Sequence, residues 1–404
     1  MFDNVKIGLS KITVLLIYLS LIMSGVTVFN LGFNVRVLHL LLPILFFNLL
    51  LNKFKWIKGA YKILAGSSTF YYFIGLLLIT CYSTMTSDYF TSESIKLLIA
   101  FLFNCGIGLV FLGIMSSESL DIKFYNQLSF YSVMLIGLVI IIQFLLSIIG
   151  FYEPHMYGKN GFFLLGRPAA FFGDPGWLSY WLIIFGAVVF AQYKAKLVSF
   201  ENLVVFVLIL GIGLILNQSR ITIFLVTINF FLIVLRGNLK QKFYFFWGAA
   251  ILFASLIGLL VLGVIEVPKN LYYDIINVKA NPRLYDMSNI LHEFKESGNY
   301  WFGNGLGSIS RLKEIYPWRN YTNSHNVILL QLLNDVGIFG ILMVLVIVRK
   351  LYQSLETYLS KVLFVELMVI LMFHNIFPYF QLFWFLLVVI FVIDRKLLNN
   401  SYEK

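Results

Sequence analysis

The sequence predicts an all-α integral membrane protein, a polytopic bundle of about twelve transmembrane helices with cytoplasmic termini and one long external loop. Three observations carry this. Of 404 residues, 60% are hydrophobic and only 12% are charged, against roughly 25% charged in a soluble domain. The apolar residues fall in continuous blocks of span length rather than on one face of each helix. The basic residues gather on alternate loops.

The apolar blocks lie near 7–29, 35–52, 67–84, 94–114, 129–150, 176–192, 199–216, 219–236, 243–266, 325–348, 358–374 and 376–393. The first is too long for the apolar core of a signal peptide, and no small-x-small cleavage site follows it, so it is expected to stay as a span. The last two are separated only around His374 and Asn375, which predicts a tight helical hairpin. Lysines 53, 55, 58 and 62 follow the second block, and Lys194 and Lys196 the sixth. Arg236, Lys240 and Lys242 follow the eighth, Arg349 and Lys350 the tenth, and Arg395 and Lys396 the twelfth. These loops all share a side with the N-terminus, so the positive-inside rule places both termini in the cytoplasm.

The net charge of +11 does not indicate nucleic acid, because the basic residues form no dense patch interleaved with aromatics. Topology and anionic headgroups account for them. Cys81 and Cys105 each lie inside an apolar block. They lack the spacing of a zinc site or redox pair and read as small buried side chains. The chain is expected to be one polytopic transmembrane domain, 1–404, without internal repeats or a second soluble domain.

Two external loops exceed the rest, at 151–175 and 267–323. Within the second, Asn281 and Pro282 supply a helix start and Gly298 a stop. Between them Leu284, Met287, Ile290, Leu291 and Phe294 recur at helical spacing. This predicts a short amphipathic helix, lying on the membrane surface or folded over the mouth of the bundle.

Polar residues concentrate at external helix ends. Gly166 to Pro175 contains Arg167 and Asp174, Asn217 to Arg220 forms a short hinge, and Ser324-His325-Asn326 opens the tenth block. Arg283 begins the loop helix. Each has an ordinary explanation on its own: Arg167 can snorkel to headgroups, and His325 can be a satisfied interfacial residue. Arg220 fits that account less well, since a guanidinium in so short a connection is costly unless it faces a polar cavity. Asp335 falls about ten residues into its block, or about 15 Å at 1.5 Å per residue. That depth is near the midplane, where a carboxylate needs a partner or a proton; bonding across helices beside Gly337 would satisfy it.

Together, several guanidinium groups and one imidazole on the external face suit group transfer from a phosphate leaving group. Arginine forks bind phosphate oxygens through charge-assisted bonds, and an imidazole removes a proton from a hydroxyl near neutral pH. No Asp-x-Asp pair or His-x-x-x-His helix suggests a metal, and no cofactor is expected. The run Gly303-Asn304-Gly305-Leu306-Gly307 follows no strand and opens no clear helix, so it is not a dinucleotide or P-loop motif. It reads as a turn, with contact between its amides and phosphate as the alternative.

In order and spacing, these segments resemble the oligosaccharide repeat-unit polymerases of the O-antigen polymerase and ligase superfamily. The resemblance is carried by Arg167 to Pro175, Ser219-Arg220, Arg283 with its helix, Gly303 to Gly307, Ser324-His325-Asn326, and Asp335-Val336-Gly337-Ile338-Phe339-Gly340. It covers mainly residues 160–345. The chain departs where family members often have Gly at Ala170, Asn at Gly176 and Glu at Asp335.

The resemblance implies a GT-C-like fold and a metal-independent, inverting glycosyltransferase of the bacterial cytoplasmic membrane, with its active site on the periplasmic side. Donor and acceptor would be undecaprenyl-diphosphate-linked oligosaccharides of O-antigen or capsule synthesis. His325 would be the catalytic base. Arg167, Arg220 and Arg283 would bind the diphosphate, supported by Asp174, Asn326 and Asp335. The apolar spans would form a groove for the lipid tails, and flippase and chain-length regulator proteins would be partners. An O-antigen ligase differs only in its acceptor. A lipid-linked oligosaccharide flippase is the rival from another class, although such transporters tend to show internal repeats and polar breaks near the midplane.

Overall fold

The computed structural model of the chain describes residues 2–23, 27–30, 34–37, 39–41, 43–44, 69–88, 90–115, 121–149, 151, 170, 172, 175–194, 198–217, 282–308, 328–373 and 381–402. The predicted blocks near 219–236 and 243–266, most of that near 35–52, and the hairpin around His374 lie outside these residues.

The described residues form α1 (Phe2–Ile22), a hairpin of β1 (Thr27–Asn30) and β2 (Asn34–Arg36), α2 (Thr69–Met85), α3 (Ser92–Met115), α4 (Ile122–Ile148) and α5 (Pro175–Lys194). There follow α6 (Phe200–Asn217), α7 (Pro282–Ser297), α8 (Ile328–Ser354), α9 (Tyr358–Phe373) and α10 (Gln381–Tyr402). Three helical segments among them are long and apolar enough to cross a membrane: Ser94–Met115, Ile122–Ile148 and Leu329–Ser354. The first two are continuous helices, whose backbone groups bond within the segment as the absence of water in a bilayer requires, whereas the third is broken at Gly337. These are the features of an α-helical membrane protein.

Most boundaries agree with the apolar blocks, and the differences are physical. The block near 7–29 is not one helix. It ends as α1 at Ile22, and Thr27–Asn30 pairs antiparallel with Asn34–Arg36, matching Thr27 with Arg36 and Asn30 with Asn34. A continuous apolar run does not distinguish helix from strand, and the β-branched Thr27 and Val28 favour extended backbone. Helix α4 begins at Ile122, before its apolar block, because helical hydrogen bonding continues through Lys123 and Asn126 past the apolar limit. The amphipathic loop helix runs from Pro282 to Ser297 as its signals predict. Gly298, at φ 70°, takes the left-handed conformation that ends it.

The chain divides into two compact units, Met1–Leu16, Leu41–Ile122 and Asn277–Lys404 in one, Ile17–Leu40 and Lys123–Ile276 in the other. In the first, α2 lies antiparallel to α8, with Gly75 facing Met343 and the Lys350 ammonium over the Tyr72 ring at 5.3 Å. Helices α3 and α10 meet through Phe111 and Phe385, ring centroids 5.8 Å apart. The Asp394 carboxylate of α10 accepts from the amides of Glu356 and Thr357, at 3.0 and 2.7 Å, and caps the start of α9. In the second unit, Tyr18, Phe172 and Phe185 surround Trp181, whose indole N–H donates to Ser132 Oγ at 3.3 Å. Stacked rings of Phe130 and Phe206 join α4 to α6.

Candidate functional site

The polar centre of the first unit is a break in α8. At Gly337 the backbone leaves helical geometry, with φ 66° and ψ −167°. In an unbroken helix the Ile338 amide would donate to the Asn334 carbonyl and the Phe339 amide to the Asp335 carbonyl. Both bonds are replaced by bonds to residues within the 267–323 segment. Ile338 N–H donates to Tyr300 O at 2.9 Å and Phe339 N–H to Trp301 O at 3.1 Å. The freed carbonyls of Asn334 and Asp335 accept from the amides of Asn304, at 2.6 Å, and Gly305, at 3.0 Å. The break therefore leaves none of these four backbone groups unpaired, the condition under which irregular backbone is tolerated beside a bilayer.

Glycines make the close approach possible. A Cβ on Gly303 would lie 2.5 Å from Gly337 N, and one on Gly337 would lie 2.5 Å from Trp301 O. Both residues also have positive φ, as do Gly305 and Gly307. The Gly303–Gly307 run is thus a turn, as its composition predicts. Four of its five amides are committed to protein: Gly303 to Asn299 O, Asn304 and Gly305 to the break, and Leu306 to Thr84 Oγ1 at 3.2 Å. These four are not free for phosphate.

Buried side chains complete the joint. Asn334 donates to Ser308 Oγ at 2.7 Å and to Asp335 Oδ1 at 3.2 Å, and its own Oδ1 accepts from Asn304 Nδ2 at 3.0 Å. Gln331, one turn before Asp335, donates to Asp335 Oδ2 at 3.2 Å. Ser87 Oγ donates to the Asn304 carbonyl from just beyond α2. Asp335 therefore has amide partners, as a buried carboxylate needs. The same joint touches Thr84 and Ser87, and α2 ends at Met85. Asp335 is therefore level with the end of α2 rather than with its middle.

The other predicted site residues are less completely placed. Arg283 is the second residue of α7, and α7 packs on α8 with Ile290 and Phe294 buried. The loop helix is accordingly folded against the bundle rather than standing apart from it. Arg167, Asp174, Arg220, His325 and Asn326 lie outside the described residues. The structure thus brings together two of the predicted segments, Gly303–Gly307 and Asp335–Gly340.

Sequence reasoning missed Asn334 and Gln331. Their signal was present: two amides flanking the carboxylate in an apolar block, one at the i−4 position that faces it. It also missed Gln143, a lone amide in a span. Gln143 accepts from Ala170 N–H at 2.9 Å and donates to Ala170 O at 3.0 Å, which fixes Ala170, three residues after Arg167 in sequence. Ala170 has φ 49°, the left-handed conformation that glycine adopts without strain.

A second feature of the first unit is an apolar cavity of about 220 Å³, lined along α8 from Leu329 to Leu351 and by Phe70, Cys105, Trp384 and neighbouring apolar residues. Among the described residues, no group of three or more His, Cys, Asp or Glu could hold a metal ion. The chain matches no protein-family model and no curated protein sequence.

Proposed function

We propose that the protein is a polymerase of lipid-linked oligosaccharide repeat units. It would be a metal-independent, inverting glycosyltransferase of the bacterial cytoplasmic membrane with about twelve spans and cytoplasmic termini. The observation that carries this reading is the constellation of Arg167, Arg220, Arg283 and His325 in segments assigned to one face of the membrane. The docking of Gly303–Gly307 into the break beside Asp335 lends support. Two segments of the resemblance, distant in sequence, meet at the base of the long external loop. The apolar cavity supplies a surface suited to a hydrocarbon chain.

In the proposed reaction an acceptor sugar hydroxyl of an incoming lipid-linked unit gives its proton to His325. Its oxygen attacks the anomeric carbon of the donor glycan from the face opposite the diphosphate. The bond from that carbon to the diphosphate oxygen breaks, and its electron pair leaves with undecaprenyl diphosphate. The guanidinium groups of Arg167, Arg220 and Arg283 take up the developing charge. Asp174, Asn326 and Asp335 support the loop segments that carry these groups.

A ligase would use the same donor chemistry with a different acceptor. The helix break at Gly337 is a trait also found in transporters, but here the four backbone groups it frees are bonded to residues 300–305. Deleting the gene and sizing the surface glycan tests the assignment. Single repeat units on the normal anchor are expected. Long chains retained on the lipid carrier would instead identify a ligase, and lipid-linked units trapped inside a flippase.

A further inference from the structure

The end of the external loop carries an exposed aromatic cluster outside the polar joint. Trp301 stacks on Phe339 with centroids 5.1 Å apart, Phe302 lies 5.4 Å from Phe339, and Tyr82 lies 5.1 Å from Phe302. Four aromatic rings from α2, α8 and the loop thus form one patch, yet Trp301 remains 58% exposed. Exposed stacked rings suit two surroundings, a carbohydrate or the headgroup boundary of a bilayer.

The surroundings of the patch decide between them. Phe339 heads an exposed apolar stripe on α8 that continues through Leu342 and Leu345, each more than half exposed. Tyr82 heads a matching stripe on α2 through Leu78 and Ile74. Their spacing of three and four residues keeps each stripe on one helix face. Such faces on spanning helices meet hydrocarbon. Trp301 and Phe302 lie across the outer end of both stripes, so the patch continues the lipid-facing surface. A sugar platform needs polar groups at its rim to partner hydroxyls. The nearby polar groups Asn304, Asn334 and Asp335 are buried within the joint instead.

The geometry points to Trp301 and Phe302 as a membrane anchor of the external loop, seated in the headgroup region of the outer leaflet. The anchor sets the outer limit of the hydrocarbon at the level of the Gly337 break. The Asn304–Asn334–Asp335 joint then lies at the headgroup boundary, and the apolar part of α8 from Ile338 onward crosses the membrane. Because Trp301 supplies the carbonyl that bonds Phe339, and its neighbour Tyr300 the one that bonds Ile338, the membrane surface holds the loop in its docked position. This goes beyond the proposed transfer reaction and does not depend on it.

The test uses the full chain in nanodiscs of phosphatidylcholine and phosphatidylglycerol containing brominated phosphatidylcholine. The Trp301 signal is the difference in fluorescence between the native protein and Trp301→Phe, which keeps a ring on Phe339. Strong quenching is expected when bromine lies near the carbonyl end of the acyl chain, with weak quenching when it lies near the methyl end. Access of aqueous acrylamide should be low. Quenching by acrylamide without quenching by brominated lipid would overturn the anchor. So would protection from acrylamide only on addition of soluble oligosaccharide, which would identify a glycan platform. If Trp301→Phe does not fold, Phe302→Trp moves an additional reporter one position along, and its added signal must show the same depth profile.

Discussion

Asn334 shows how one amide can do three jobs in a small space. It donates to Ser308 and Asp335 and accepts from Asn304. A buried polar group left without its partner costs about 1–3 kcal/mol. Asn334→Ala strands the Asn304 amide and weakens the support of Asp335, and should lower unfolding stability by a similar amount, measured by denaturant titration of the reconstituted protein. Ala170 presents the opposite case. Left-handed backbone costs an L-residue about 1–2 kcal/mol, part of which glycine returns through its greater unfolded freedom. Ala170→Gly should therefore be neutral to slightly stabilising in thermal unfolding, whereas the branched Ala170→Val should be clearly destabilising. For the proposed chemistry, His325→Ala should leave the protein inserted but lower glycan transfer by about 10²-fold or more, the usual weight of a general base. Near-normal chain formation in that variant would remove His325 from the mechanism. Arg220→Lys should also impair transfer, since a point charge does not reproduce a guanidinium fork; full activity of Arg220→Ala would return Arg220 to a headgroup anchor.

At the scale of elements, the broken helix and the loop end are two halves of one structure. Neither half satisfies its own backbone. The break exposes two carbonyls and two amides of α8, and the loop presents the matching groups from Tyr300 to Gly305. Gly337→Ala would add a Cβ 2.5 Å from Trp301 backbone atoms at a residue with φ 66°. Backbone strain alone costs about 1–3 kcal/mol, and undocking the loop adds the loss of its four bonds. The variant should show a large loss of stability and faster proteolysis near residues 298–308, read by limited digestion. The same substitution at Gly340, which is not at a positive φ, lacks the backbone strain but sets its Cβ against Val336 Cγ2, so that side chain must shift. At the other end of α8, Asp394 caps α9 from a different helix. Asp394→Ala should cost about 0.5–2 kcal/mol, the range for a lost helix cap.

For the whole molecule, the proposed reaction uses arginines where many transferases use a divalent ion. Purified, reconstituted protein should therefore keep its activity in a strong chelator; a loss reversed by added Mg²⁺ would end the metal-free account. Reporter fusions test the proposed topology: both termini should report cytoplasmic, while fusions within 151–175 and 267–323 should report the external side.

The sequence by itself determined the membrane class, the approximate limits of most described helices, and both ends of the loop helix. Those features depend on local properties: continuous hydrophobicity, a proline start and a glycine stop. It also marked Gly303–Gly307 and Asp335–Gly340 as special segments. Only the tertiary structure decided that the two segments join, because backbone hydrogen bonds between residues thirty apart leave no local periodicity. The surroundings of Asp335 were decided there too: the docked loop brings it level with Thr84 and Ser87 at the end of α2. The helix-to-hairpin change after Ile22 and the Gln143 clamp on Ala170 were likewise settled by pairing across the chain. A span length is written in composition; the place where a span stops being helical depends on what fills the gap.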